Sequence, residues 1–339
     1  LGDGAVEHPE ALVVRNPANP SQVLGTVSQA SLVEVNRAVH LAGEAQPRWA
    51  RTPVDARVAC LRRAAALMRE RRYELAAWEV FEVGKPWREA DAEVAEAVDY
   101  LEYYSQAMEA LAGGKPLAQV PGEQNVYAYV PRGVAVVIAP WNFPVAILTG
   151  MASAALATGH AVILKPAEQS SIVAAHVADI LRAAGIPPAI VQFVPGYGHE
   201  VGAALVRHPG TQVTLFTGSK AVGLAIVRAA SQFGSGQRFV KHVVAEMGGK
   251  NALIIDADAD LDAAIQGTIT SAFSYAGQKC SAASRILVHA AVYDRFMPRL
   301  SAAVDRLVIG DPTDADTDLG PLISAEAQQR LLDAATHAD

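Results

Sequence analysis

The sequence predicts an α/β protein: a doubly wound, Rossmann-like parallel sheet followed by a second, smaller α/β unit. Three observations carry that reading. Six short apolar runs between positions 134 and 256 alternate with stretches of helical periodicity, and parallel strands require such crossovers. The runs VAVVIA and AVILKP are almost uniformly apolar, as strands buried on both faces are. At 339 residues the chain exceeds the ~250–300 at which one core usually stops growing, so two folding units are expected.

From position 32 to about 108 apolar residues recur at helical spacing, punctuated by Pro47, Pro53, Gly84 and Pro86, which predicts several amphipathic helices as an entry segment. After Gly113 and Gly114, VYAYV (126–130) alternates as an exposed strand does, so a hairpin arm is expected over 114–131. The predicted strands follow: VAVVIA (134–139), AVILKP (161–166), IVQFVP (190–195), VTLFTG (213–218), HVVAEM (242–247) and NALIID (251–256). Helices are predicted over 152–158, 172–184, 199–207 and 220–230, with Gly185 and Pro187 ending the second. Asp260 can cap a helix running to about Tyr275, after which the loop AGQKCSA leads to the strand ILVH and a further helix near Tyr293. The tail SAEAQQRLLDAATHAD is helix-like, and its domain is expected to continue past it. The division read from this pattern is a nucleotide-binding unit over 1–113 and 132–247, an oligomerisation arm over 114–131, and part of a catalytic unit over 248–339.

Composition excludes several classes. Hydrophobic residues make up 51% of the chain and charged residues 19%, enough to bury a sizeable core. The net charge is −7 and no run of Lys and Arg forms a basic stripe, so nucleic acid is not an expected partner. Positions 134–164 carry no Asp, Glu, Lys or Arg, which raises a membrane span of ~20 residues. Pro140, Asn142, Pro144, Gly150, Gly159 and His160 interrupt the stretch, and strand, loop, helix, strand fits its pieces better. No membrane span is expected. Cys60 and Cys280 make neither a disulfide framework nor a metal-ligand cluster, so no metal is expected and a reducing compartment, the cytoplasm, is implied. The opening LGDGAVEHPE reads as no targeting segment.

Cys280 lies in a small polar loop between Lys279 and Ser281, where a neighbouring cation favours a thiolate. It is either a nucleophile or a small packed residue. Cys60, on the apolar face of ARVACLRRAAALM, takes the second reading. Glu246 in AEMGGKN ends an apolar strand, where partial burial suits it to take a proton from water; the alternative is a turn carboxylate accepting backbone hydrogen bonds. Asn142 in PWNFP stands between Pro140 and Pro144, rigid enough to offer its amide to an oxyanion, although Asn near proline more often makes a turn. FTGSKAVG sets Gly218 and Gly223 around a strand-to-helix junction, where N–H groups and the helix dipole favour phosphate. Its GxxxxG spacing matches neither common glycine fingerprint. Lys165 and Glu168 in KPAEQ end another strand, where open sheets bind ligands, with ribose hydroxyls or solvent as their partners.

Taken together, PWNFP, LKPAEQ, FTGSKAVG, AEMGGKN and GQKCSAASR stand in the order and spacing of the aldehyde dehydrogenase superfamily, which the sequence resembles over essentially its whole length. AEMGGKN followed by FSYAGQKCSAASR is most similar to the glutamate-γ-semialdehyde (Δ1-pyrroline-5-carboxylate) dehydrogenases. The resemblance implies the aldehyde dehydrogenase fold, incomplete at its C-terminus. No ExFGP sequence occurs, so the family's second ribose-binding Glu, the late loop that anchors the substrate's amino-acid end and the last strand of the oligomer are missing.

By the same resemblance Cys280 is the nucleophile, Glu246 the general base, and Asn142 with the Cys280 N–H the oxyanion hole. The cofactor implied is NAD, with NADP left open. Lys165 and Glu168 would meet the adenosine ribose, Gly218, Ser219 and Gly223 the pyrophosphate, and Trp141 and Gly248 the nicotinamide, with Pro140 and Met247 also against the cofactor. Ser281 would contact the substrate carboxylate, beside Lys279 and Phe143. The implied reaction is NAD-dependent oxidation of L-glutamate γ-semialdehyde to L-glutamate in proline catabolism. Alternatives are another semialdehyde, such as succinate semialdehyde, or a nucleotide-binding module without turnover. The implied partners are a small-molecule aldehyde, further copies of the full-length protein in a homo-oligomer, and a fused or associated proline dehydrogenase. As it stands, the piece is expected to be poorly active.

Overall fold

Two neighbouring strands without an exposed residue, β3 (Val134–Ile138) and β4 (Ala161–Lys165), anchor the architecture. In the computed structural model, which describes residues 1, 4 and 11–336, they form the middle of a five-stranded parallel sheet. With β5 (Val191–Phe193), β6 (Thr211–Gly218) and β7 (His242–Met247) its order is β5-β4-β3-β6-β7. The chain moves outward from β3 to β5, returns to the other side of β3 for β6, and ends on the edge at β7. That reversal is the doubly wound switch, and ligands of such sheets bind outside the carboxyl ends of the strands there.

Helices cover both faces. Between the strands run α5 (Ala146–Ala157), α6 (Ser171–Ala183), α7 (Ala203–Arg207, entered through a wider turn at Gly198–Gly202) and α8 (Lys220–Ala230). The entry segment forms four helices: α1 (Leu32–Arg51), α2 (Val54–Glu70), α3 (Arg72–Val83) and α4 (Trp87–Ala112). Ser31 and Glu34 close a capping box on α1, satisfying two orphan donors. The helix continues through Pro47, where the sequence suggests a break. Buried Trp49 anchors its last turn by donating through Nε1 to the Leu156 carbonyl at 3.1 Å. Helices α2 and α4 pack on α5, and α1 lies across β3, β4 and β5.

An antiparallel ribbon of β1 (Ala11–Asn16) and β2 (Asn19–Ser28) precedes the helices and was not anticipated. In residues 114–131 the expected alternating strand is reduced to one bridge, Lys115 to Tyr127. The tip is tied instead by the Gln119 side chain, which donates to the Asn125 carbonyl and accepts from the Asn125 N–H, both at 2.9 Å. A lone two-stranded ribbon is marginal in water.

The second unit has its own small core of Ile255, Leu261, Val292, Phe296 and Leu300. It comprises the parallel pair β8 (Asn251–Ile255) and β9 (Ala283–Val288), with α9 (Leu261–Phe273) and α10 (Ala290–Val304). Asp260 caps α9 as expected, accepting from Asp262 and Ala263. Helix α10 begins at Ala290, ahead of the expected start near Tyr293, because His289 caps it. A last helix, α11, spans Ala325–Thr336. Among the described residues no helix is long and apolar enough to cross a membrane, and no group of three or more His, Cys, Asp or Glu is placed to hold a metal ion.

Candidate active site

Beyond β3 the chain leaves the sheet through Pro140, Trp141, Asn142, Phe143 and Pro144, all but the last half-buried. The start of α5 is fixed from outside. Buried Glu93 of α4 accepts through Oε1 from the N–H groups of Val145 (2.8 Å) and Ala146 (3.0 Å), as a carboxylate at a helix N-terminus favours. With the loop so placed, Asn142 donates through Nδ2 to the Gln278 carbonyl at 2.9 Å. A side-chain amide has two N–H donors. One holds the loop two residues ahead of Cys280, and the other is left for a further acceptor.

After α9 the chain makes a turn in which Tyr275, Ala276 and Gly277 have φ of 53°, 54° and 69°. For the two residues with a Cβ this left-handed conformation costs of order 1–3 kcal/mol each. Surrounding contacts hold it. Tyr275 is fully buried, its hydroxyl donates to the Val83 carbonyl at 2.6 Å, and its ring meets Trp141 edge-on at 6.2 Å. Gln278 donates to the Pro321 carbonyl (3.2 Å) and accepts from the Ile323 N–H (3.0 Å). Cys280 emerges from this turn exposed, whereas Cys60 is buried, with Arg63 donating to its sulfur at 3.1 Å. The Cys280 carbonyl accepts from Asn251 at 3.0 Å, and a Cβ on Gly249 would lie 3.1 Å from it. The GGKN segment therefore lies against the cysteine loop.

Two electrostatic expectations need correction. Glu246 is exposed, not partly buried. It lies on edge strand β7, whose alternation turns His242, Val244 and Glu246 to an uncovered face and Ala245 and Met247 inward. Lys279 does not stand free beside the thiol: its ammonium pairs with Glu89 of α4 at 2.5 Å. Ser281 is exposed next to Cys280.

On the other side of β3, Lys165 is buried and pairs with Glu168 at 3.2 Å. Burial pulls its pKa down, and Glu168 opposes that. Glu168 also accepts from the Gly198 N–H at 2.5 Å. Ser219 caps α8, accepting from the Val222 N–H at 3.3 Å. The glycines flanking it answer to packing: a Cβ on Gly218 would lie 2.7 Å from the Phe216 ring, and one on Gly223 2.8 Å from the Met247 sulfur. Met247 thus faces α8, while a Cβ on Gly248 would meet nothing within 4 Å.

The sequence reading missed Glu93, Tyr275, Gln278, Asn251 and the buried Lys85. Of these, Glu93 alone carries a signal in the sequence, its place among apolar neighbours on the buried face of α4, as Glu79 and Glu82 have on α3.

The sequence and fold match known proteins. A model of the aldehyde dehydrogenase family matches residues 5–339. A 1-pyrroline-5-carboxylate dehydrogenase of Geobacillus thermodenitrificans is 44% identical over 333 residues, covering 98% of this chain and 65% of that protein. The 1-pyrroline-5-carboxylate dehydrogenase 2 of Bacillus subtilis is 45% identical, covering 96% and 64%. Among solved structures, 1-pyrroline-5-carboxylate dehydrogenase from Thermus with bound NAD superposes with a TM-score of 0.96 at 44% identity, over 98% of this chain and 65% of that one. Proline utilization A from Bdellovibrio bacteriovorus gives 0.95 at 42% identity, over 100% of this chain and 35% of that one. The chain spans about 65% of the length of the first of these curated relatives.

Proposed function

The chain belongs to the aldehyde dehydrogenase family, and from that premise we propose that it is the dinucleotide-binding and nucleophile-bearing portion of an NAD-dependent dehydrogenase of L-glutamate γ-semialdehyde. The observation that carries the reading is the Asn142 amide bound to the Gln278 carbonyl, which ties that amide to the chain two residues before the exposed one of two thiols. The relatives named 1-pyrroline-5-carboxylate dehydrogenase support the choice of substrate.

The Cys280 thiolate adds to the aldehyde carbon, the C=O π pair moves to oxygen, and the spare Asn142 N–H with the Cys280 N–H meets that oxygen. These donors serve charge that exists only after attack, which is what accelerates a reaction. Loss of the C–H hydrogen with its electron pair lets the oxygen re-form its double bond and leaves a thioester; a bound dinucleotide would accept that hydride. Glu246, exposed at the end of β7, then takes a proton from water as the hydroxide adds, and the C–S bond breaks to release the acid and the thiolate. Ser281 and the Lys279–Glu89 pair border the substrate's polar end, and Phe143 lies against its chain.

The residues at the carboxyl ends of the strands fit a dinucleotide. Buried Lys165 spends one donor on Glu168, leaving N–H groups for ribose hydroxyls, and the Glu168 carboxylate disfavours a 2′-phosphate, so NAD is the cofactor. Ser219 satisfies only Val222 in the first turn of α8, so the Lys220 and Ala221 N–H groups have no intrahelical acceptor and would hold a pyrophosphate. Pro140 and Trp141, half-buried, and Gly248, where a Cβ would meet nothing within 4 Å, would border the nicotinamide. When bound, the dinucleotide supplies the hydride acceptor.

The test joins alkylation to absorbance. L-glutamate γ-semialdehyde should slow iodoacetamide alkylation of Cys280, and in the full-length protein with NAD present NADH should form faster than with succinate semialdehyde. Alkylation that no aldehyde slows would overturn the nucleophile assignment, and faster NADH formation with succinate semialdehyde would overturn the substrate.

A further inference from the structure

Lys85 follows α3 and has no exposed surface. Its ammonium pairs with Glu79 at 3.2 Å and with Glu93, and it sits 4.1 Å from the centre of the Phe143 ring and 5.2 Å from that of Tyr275. Burying an ion is expensive unless its partners offset the lost hydration. Here those partners are two carboxylates and two aromatic faces, and cation–π attraction is strongest where water is excluded.

The rings are informative because of where they stand in the chain. Phe143 adjoins Asn142. Tyr275 opens the left-handed turn that ends at Cys280. Glu93 carries one oxygen on Lys85 and the other on the first N–H groups of α5. A single cation therefore joins the helical entry segment, the PWNFP loop and the cysteine turn. An aliphatic side chain could fill the same volume, but it would attract neither the rings nor the carboxylates.

We propose that Lys85 is a positioning residue, which holds Phe143 and Tyr275 so that the Asn142 amide stays in register with Cys280. This rests on the oxyanion role given to Asn142 above.

The test uses the whole chain and reads the acetaldehyde concentration that halves the alkylation rate of Cys280; acetaldehyde is too small to depend on a side-chain pocket. Lys85→Met alone strands two buried carboxylates, so it is combined with Glu79→Gln, and Glu93 keeps its two backbone donors. In the double variant the melting temperature should recover relative to Lys85→Met. Alkylation without aldehyde should keep its rate, since Cys280 is exposed. The protecting concentration should stay roughly tenfold to a hundredfold above wild type, the worth of a hydrogen bond to a charged group. Protection that recovers together with the melting temperature would overturn the proposal and leave Lys85 a packing role. If the double variant does not fold, Phe143→Leu, at a half-buried position, must raise the protecting concentration in the same way, and wild-type protection there overturns the proposal. A wild-type thiol that no aldehyde protects removes instead the reading on which it rests.

Discussion

Replacing Asn142 by Ala separates what the amide contributes to the fold from what it contributes to the chemistry. The structural loss is one part-buried hydrogen bond to the Gln278 carbonyl, worth about 1 kcal/mol. The turn keeps its other anchors, Tyr275 to Val83 and Gln278 to Pro321 and Ile323, so the melting temperature should fall by no more than ~2–4 °C. The chemical loss is larger, because a preorganised donor to a developing oxyanion contributes about 10²–10³ in turnover. Chemistry should therefore fall far more than stability. Asn142→Asp should do at least as badly, because a carboxylate repels both the oxyanion and the Gln278 carbonyl.

Two assays in parallel on the full-length protein check this: NADH formation from L-glutamate γ-semialdehyde, and NAD affinity by ligand fluorescence with thermal unfolding as the control. The expected pattern is turnover down about 10²–10³ with NAD affinity retained. Turnover equal to wild type would refute the oxyanion role. Turnover lost in step with NAD affinity and melting temperature would make Asn142 a turn former only.

Other perturbations test neighbouring claims. Ala276→Gly, at φ 54°, should relieve strain and raise the unfolding free energy by about 1 kcal/mol, read as a higher urea midpoint, and a lowered midpoint would show that position 276 stores none. Burial pushes the Glu82 pKa up to about 8, against the backbone bonds from Ile172 and Val173 that lower it. The folded form then keeps a proton that the unfolded chain releases near its ordinary value of 4.5. Stability should fall as pH rises from about 4.5 toward 8, by at most ~1.4 kcal/mol per pH unit for this group; Glu82→Gln should flatten that slope, and an unchanged slope would refute the assignment. Gly223→Ala meets only the movable end of Met247 and the edge of Phe216, and Ala favours a helix over Gly by ~0.8–1.0 kcal/mol. The variant should fold and bind NAD as wild type does; a folded variant that loses NAD would show that Gly223 approaches the phosphates directly.

The central strands were legible because burial on both faces removes any demand for polar residues, so β3 and β4 read as continuous apolar runs. The β1–β2 ribbon was not legible for the opposite reason. Pro17 stands in its turn and Pro20 at the start of β2, and both demote a strand in any local reading. The alternation of buried Leu12, Val14 and Asn16 with exposed neighbours and the Asn16 side chain accepting from Ala18 were the signals available. Pro47 misled similarly, since a tertiary anchor at Trp49 overrides the local break.

The site divides along the same physical line. The residues proposed to perform chemistry occur in short motifs, because a thiol, an amide and a carboxylate in those roles must each be exposed to a ligand, and their flanking prolines and glycines mark loops. The residues that place them are polar groups scattered over a helix (Glu93) and a turn (Tyr275, Gln278), which in sequence are indistinguishable from solvated positions until a partner is known. Those partners are remote: Glu93 reaches 52 positions to Val145, Asn142 reaches 136 to Gln278, and Tyr275 reaches 192 to Val83. No local pattern encodes such distances. The two sets should consequently fail differently under substitution. Cys280→Ala, at an exposed position, should abolish NADH formation and leave the unfolding curve where it was. Tyr275→Phe keeps the ring and removes only the bond to Val83. It should lower stability by about 1 kcal/mol and slow turnover together, because the left-handed turn loses an anchor at the moment the thiol loses its register. A Tyr275→Phe variant destabilised to that extent yet fully active would mean that the turn is held well enough by Gln278 alone.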